Sequence, residues 1–138
     1  VTFERRNVVF GLVWIGAGLL VGAAMGAAHD LEWVGRLLKS PPARWNNIMY
    51  AHAHFGVIGL TNVALAFFLP MEIARGRRVA ASWAAIASGV LVPAGILCGD
   101  PKMPEGLHWL KYLQAVGFVA LAFAVAVALA GVWRARKA

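Results

Sequence analysis

Two histidines, His52 and His54, lie within an apolar stretch that runs from Ile48 to Pro70. That stretch is long enough to cross a bilayer. An ionisable side chain at membrane depth is expensive and is rarely kept without a partner. A neutral imidazole is also the commonest protein ligand for metals, haem iron among them. The tract Met49-Tyr50-Ala51-His52-Ala53-His54-Phe55-Gly56 is therefore the first place to look for chemistry.

Helical geometry separates the two rings. Residues two apart on a helix differ in direction by about 200°, so the two histidines cannot address the same face of one flat cofactor. On the His52 side lie Gly56, Gly59, Val63 and Ala66; on the His54 side lie Tyr50 and Thr61. Missing side chains at Gly56 and Gly59 predict a flat slot beneath His52, the shape a porphyrin needs. Asn62 falls on the flank of that face, about three turns deeper. His52 itself lies roughly 6 Å below the interface if the helix starts near Ile48. The His-x-His spacing is not a chelate, which calls for i,i+3 or i,i+4 ligands.

The residues alone leave two readings open. Either histidine can bond to water or to a loop carbonyl near the interface, or one of them can hold a metal. His29 and His108 sit at or beyond the ends of spans, where the first role is the ordinary one.

The elements that position these residues are four apolar spans in 138 residues, 61% of them hydrophobic. They run over about 8–28, 48–70, 79–98 and 109–132, each near the ~20 residues that cross a hydrocarbon core. The pattern predicts an all-α, integral membrane four-helix bundle, with residues 1–138 as a single transmembrane domain. The first span is longer than the apolar part of a signal peptide and leads straight into more membrane protein.

The net charge of +7 is distributed by side. The N-terminus, the middle loop and the C-terminus carry Arg5, Arg6, Arg75, Arg77, Arg78, Arg134, Arg136 and Lys137, offset by Glu4 and Glu72. The other side carries Arg36, Lys39, Arg44, Lys102 and Lys111 against Asp30, Glu32, Asp100 and Glu105. The two sides net about +6 and +1, so the positive-inside rule predicts both termini in the cytoplasm. Topology and anionic lipid account for the basic excess, and nucleic acid is not expected as a partner.

Cys98 is alone, which excludes an intrachain disulfide and a cysteine metal site. Gly18, Gly22 and Gly26 share one face of the first span, a small-xxx-small pattern for close helix approach. Asp30 to Leu38 has amphipathic character and is expected along the interface, and Ser40-Pro41-Pro42 is expected to stop it. Trp45 is expected to open the second span as an interfacial anchor, and Pro93 to kink the third. Gly99 to Gly106 contains Pro101 and Pro104 and is expected to be irregular. No phosphate-binding glycine loop, internal repeat or catalytic serine or carboxylate set stands within a span.

Two tracts resemble the styrene oxide isomerase family, small four-span bacterial membrane enzymes. Phe3-Glu4-Arg5-Arg6, directly before the first span, looks like the family's start. Ala51-His52 is followed by a glycine-containing apolar run that closes on Ala66-Phe67-Phe68-Leu69-Pro70, at the family's interval without gaps. The resemblance selects His52 as the haem ligand, with His54 as the runner-up. It implies haem b at a subunit boundary of a homotrimer in the bacterial cytoplasmic (inner) membrane. It also implies ferric iron as a Lewis acid on a small apolar epoxide, whose ring opens with a 1,2-hydride shift to an aldehyde. The chain departs from the family in two places. The family's asparagine six residues after the ligand is Ile58 here, and the region of a late third-span tyrosine reads Gly95-Ile96-Leu97-Cys98. Asn62 and Ser88 are the candidates for polar contacts in the pocket.

The functions this leaves are a haem-dependent epoxide isomerase, a membrane haem protein that carries electrons or senses haem or a gas, and a cofactor-free structural subunit.

Overall fold

The computed structural model describes residues 3–39, 42–69, 73–99 and 103–137, with side chains from residue 5 onward. Expectations that rest on Ser40, Pro41, Pro70, Glu72, Asp100, Pro101 and Lys102 lie outside the described residues. The described chain is all-α: α1 (Phe3–Asp30), α2 (Glu32–Lys39), α3 (Pro42–Phe68), α4 (Arg75–Leu97), a 3₁₀ segment (Glu105–Tyr112) and α5 (Leu113–Ala135). Four of these helical stretches are long and apolar enough to cross a membrane, as a multi-pass protein requires. Within lipid a helix satisfies each backbone N–H and C=O internally, which is why long apolar runs take this form.

Several helix ends differ from the pattern in the sequence. The α1 helix continues to Asp30 and hands over to α2 almost without a break. Leu31 N–H bonds Ala27 O at 2.8 Å, and Gly35 N–H bonds Leu31 O at 3.0 Å. The first outer connection is thus largely helical. Within α2, Val34 is buried while Leu31, Trp33 and Leu37 beside it stay exposed. Trp45 does not open α3, which begins at Pro42. Proline suits that first helical position because its missing N–H would have had no helical partner.

Pro93 lies inside a continuous α4 and leaves the carbonyl of Gly89 without its usual helical donor. Past α4, Glu105 and Gly106 are not irregular as expected. Pro104 fixes the turn, Leu107 N–H bonds Pro104 O at 2.8 Å, and the 3₁₀ segment starts at Glu105. The residues from Trp109 to Tyr112, expected to begin the fourth span as α-helix, are therefore wound more tightly.

The spans form a bundle in which α1 packs on α3, α3 on α4 and α4 on α5, while α1 and α5 do not meet. Half of the apolar window of α4 is buried, against 11% for α1. The α1 side of the molecule is accordingly an exposed apolar surface, with Leu19 and Leu20 prominent on it. Helices α1 and α3 touch through glycine: a side chain at Gly59 would lie 2.9 Å from Gly11 O and 2.8 Å from Ile15 Cγ1. This closeness matches the use of small residues at membrane helix contacts.

Two apolar clusters fill the interior. Ala51, Ile58, Val92 and Ile96 form the one nearer His52. Leu65, Leu69, Ile73, Ala81, Ala85, Ala124 and Ala128 form the other. A layer of buried polar side chains sits between them along α3 and α4.

Candidate functional site

His52 stands on the α1-facing side of α3. Its ring lies against Gly22, where a Cβ would come within 2.9 Å of Cε1 and 3.4 Å of Nε2. The absence of a side chain at Gly22 is what admits the imidazole. The residue is half-buried, its Nδ1 is sealed from the surface, and Nδ1 has no hydrogen-bond partner. Nε2 is the ring nitrogen that keeps access. A buried polar atom without a partner costs about 1–3 kcal/mol, so this ring is unpaid for by the chain itself.

The glycines near His52 divide into two kinds. Gly59 is buried against α1 and leaves no slot; its missing side chain is spent on helix contact. Gly56, one turn from His52, is different. Neither Gly56 nor Gly26 has an atom within 4 Å of where its Cβ would stand. These two positions border open space on either side of the His52–Gly22 contact. Gly18 packs against Phe55, so the expected glycine face of α1 is used for helix contact at Gly18 and Gly22 but not at Gly26.

A wholly apolar cavity of ≈ 270 Å³ adjoins this region. Val21 and Met25 line it from α1 and Ile48, Ala51 and Phe55 from α3, with Leu38 and Leu97 at its rim. Val21, next to Gly22, and Ala51, next to His52, thus share its walls. Ile58 does not reach it: the side chain is buried against α4 with Val92 and Ile96.

His54 faces the opposite way, as the helical geometry requires. Its Nδ1 is 2.7 Å from Tyr50 O, and since a carbonyl only accepts, Nδ1 carries the proton. In the neutral ring Nε2 then holds a lone pair. The ring meets Phe118 of α5 edge-on, with centroids 5.5 Å apart. The remaining histidines have local partners: His108 Nε2 donates to Met103 O at 2.8 Å, and His29 Nδ1 lies 3.5 Å from Lys39 Nζ. Among the described residues no three His, Cys, Asp or Glu side chains gather into a multidentate metal site. Single-point ligation by one imidazole is the donor chemistry that this arrangement offers.

Asn62 and Ser88 lie in the polar layer, deeper than the apolar cavity. Asn62 Nδ2 donates to Ile58 O and to Ala85 O, each at 3.0 Å. Its Oδ1 accepts from Asn7 Nδ2 at 2.8 Å. The Ser82 hydroxyl donates to Asn7 Oδ1, and Ser88 Oγ donates to Ala85 O at 2.7 Å. Three helices are thereby joined by fully buried amides and hydroxyls. Asn7 and Ser82 did not stand out in the sequence, because Asn7 reads as flank to a span beginning at Val8. The signal was a polar residue one or two turns from the same end of each of three spans.

No family model, curated protein or solved structure matches the chain.

Proposed function

We propose that this protein is a membrane haem b protein of the styrene oxide isomerase kind, with His52 as the axial ligand. The observation that carries the reading is the half-buried His52 ring, left without a hydrogen-bond partner and set between two glycines that border open space. An imidazole held that way at membrane depth calls for a ligand from outside the chain. A flat macrocycle fits beside it because Gly26 and Gly56 present no side chains there.

Bound ferric haem supplies a Lewis acid that polarises an epoxide oxygen and promotes rearrangement to the aldehyde. The chain's own contribution is position and dryness. Gly22 fixes where the imidazole sits. Phe55, Ile48 and Ala51 wall the apolar cavity beside it, which suits a small apolar epoxide and keeps out water that would divert the reaction to a diol. Asn62 holds the register of the helices beneath. The exposed apolar face of α1 and α3 is where further copies assemble, as a homotrimer with haem at the boundary. By the positive-inside rule the arginine-rich ends support cytoplasmic termini, and the resemblance supports a bacterial inner membrane.

One observation favours a second reading, a bis-histidine electron carrier. Metal-ligating histidines usually donate their other ring N–H to a carbonyl or carboxylate, and His54 does so to Tyr50 O. On that reading His52 and the His54 of a neighbouring copy would together hold the haem iron.

The test is the absorption spectrum of the purified protein, expressed with added haem, beside His52→Ala and His54→Ala. Loss of the Soret band in His52→Ala alone supports the assignment, followed by aldehyde formation from styrene oxide. Loss in His54→Ala alone moves the ligand. A wild type without a Soret band rejects haem altogether.

A further inference from the structure

A second cavity, of ≈ 290 Å³, opens at the same end of the bundle on the opposite face of α3. It shares no lining residue with the apolar cavity beside His52. Asn47, Tyr50 and His54 line it from α3, Lys111 from the 3₁₀ segment, and Gln114 and Phe118 from α5. Its volume is near the lower end of the range for small-molecule sites, about 300–1,000 Å³.

The lining chemistry is lopsided. Lys111 is the one charged side chain among the described lining residues, and no carboxylate accompanies it. Asn47 Nδ2 is buried and has no hydrogen-bond partner. Gln114 and Tyr50 add further donors, while Phe118 forms an apolar wall at one side, with the His54 ring against it. Lys111 Nζ stands 5.3 Å over the Tyr112 ring with no carboxylate among the described lining residues, and an unsatisfied buried amide donor in the same cleft as this ammonium suits an acceptor with negative charge.

We propose that this cleft binds an oxyanion carried on a small apolar body, a carboxylate or a phosphate, with Lys111 and Asn47 on the charged group and Phe118 against the body. Its position where α3 and α5 begin and α4 ends gives it two sources for that group: a free metabolite, or the headgroup of an anionic lipid. Two of the cleft's lining residues, Gly95 of α4 and Gln114 of α5, are in close approach, since a Cβ at Gly95 would collide with Gln114 N. The proposal does not depend on haem at His52.

The test uses the full chain in phosphatidylcholine nanodiscs, with 4-fluorobenzoate as the probe and fluorine NMR as the readout. Saturable binding of the acid is expected, with 4-fluorobenzyl alcohol about tenfold weaker, the loss of one charge-assisted contact. Lys111→Met and Asn47→Leu are each expected to weaken the acid by about tenfold, and Lys137→Met, at the far end of α5, to leave it unchanged. Displacement by added phosphatidylglycerol identifies a headgroup as the source, displacement by inorganic phosphate identifies a soluble anion, and displacement by neither makes carboxylate the preferred group. Equal binding of acid and alcohol, no saturable binding of the acid, or full binding by Lys111→Met overturns the proposal. The acid–alcohol comparison needs no variant and holds even where a substituted protein fails to fold.

Discussion

Asn7 of α1 donates its side-chain amide to Asn62 of α3 across 2.8 Å, with both side chains fully buried. The same Asn7 accepts from Ser82 of α4, and Asn62 reaches Ala85 O on that helix. In an apolar surround these bonds have one satisfactory geometry, so they fix the rotation and the depth of three helices together. Apolar packing alone would allow a helix to slide by a turn; this layer does not. His52 stands on the helix whose register the layer sets.

Replacing both members of the pair should therefore cost less than the two single replacements added together. Asn62→Leu takes away the shorter bond of the Asn7 amide, which keeps only Ser82 O at 3.4 Å, and leaves Ala85 O with Ser88 as its one side-chain donor, at a cost of about 1–3 kcal/mol. Asn7→Leu with Asn62→Leu should fall short of the sum of the single changes by about 0.5–2 kcal/mol, the range for coupled neighbours in membrane helices. Reversible unfolding in mixed micelles measures both. Strict additivity would show that the bond does not couple α1 to α3.

The spans were legible in the sequence because apolar length is a direct reading of bilayer thickness. The opposition of His52 and His54 was legible for the same kind of reason, helical geometry. The roles of individual glycines were not. Gly56 and Gly59 both lie on the His52 face, yet only at Gly59 would a Cβ meet α1, and that depends on the crossing of two helices rather than on either sequence. Asn7 was hidden likewise: its partner is 55 positions away, and pairing it with Asn62 requires the register of α1 against α3. Trp109 to Tyr112 read as the start of an α-helical span because hydropathy does not distinguish a 3₁₀ turn from an α turn.

Close contact between α4 and α5 makes a contrast between two glycines. Gly95→Ala places a methyl group against the backbone of Gln114 and should destabilise by about 1–3 kcal/mol through overpacking. Gly16→Ala, with nothing within 4 Å, should stabilise by about 0.4–1 kcal/mol through the loss of freedom in the unfolded chain. Thermal melts of the two variants in one detergent decide the matter. Equal melting temperatures would mean that α5 can move away from α4 at little cost.

The glycines around His52 separate ring placement from cofactor room. Gly22→Ala pushes on the imidazole itself, since its Cβ would stand 2.9 Å from Cε1. Gly56→Leu adds a side chain whose Cβ meets nothing within 4 Å and takes up space beside the ring. On the haem reading both variants should lose at least about 1.4 kcal/mol of haem affinity, a tenfold change, while Gly56→Leu keeps the melting temperature of the haem-free protein. Haem titration followed at the Soret band supplies the affinity. Full haem binding by Gly56→Leu would remove that face from the cofactor site.

His52→Leu gives the sharpest sign test of what the ring is for. Without haem, the wild-type imidazole carries an unsatisfied buried Nδ1, so an apolar side chain of similar size should be neutral or should stabilise by about 1 kcal/mol. With haem at a hundredfold excess over its dissociation constant, the wild type should gain about 2.7 kcal/mol that the variant cannot. The order of the two melting temperatures should therefore reverse when haem is added. A ring kept for packing alone would give the same order in both conditions, with the variant lower by an equal amount each time.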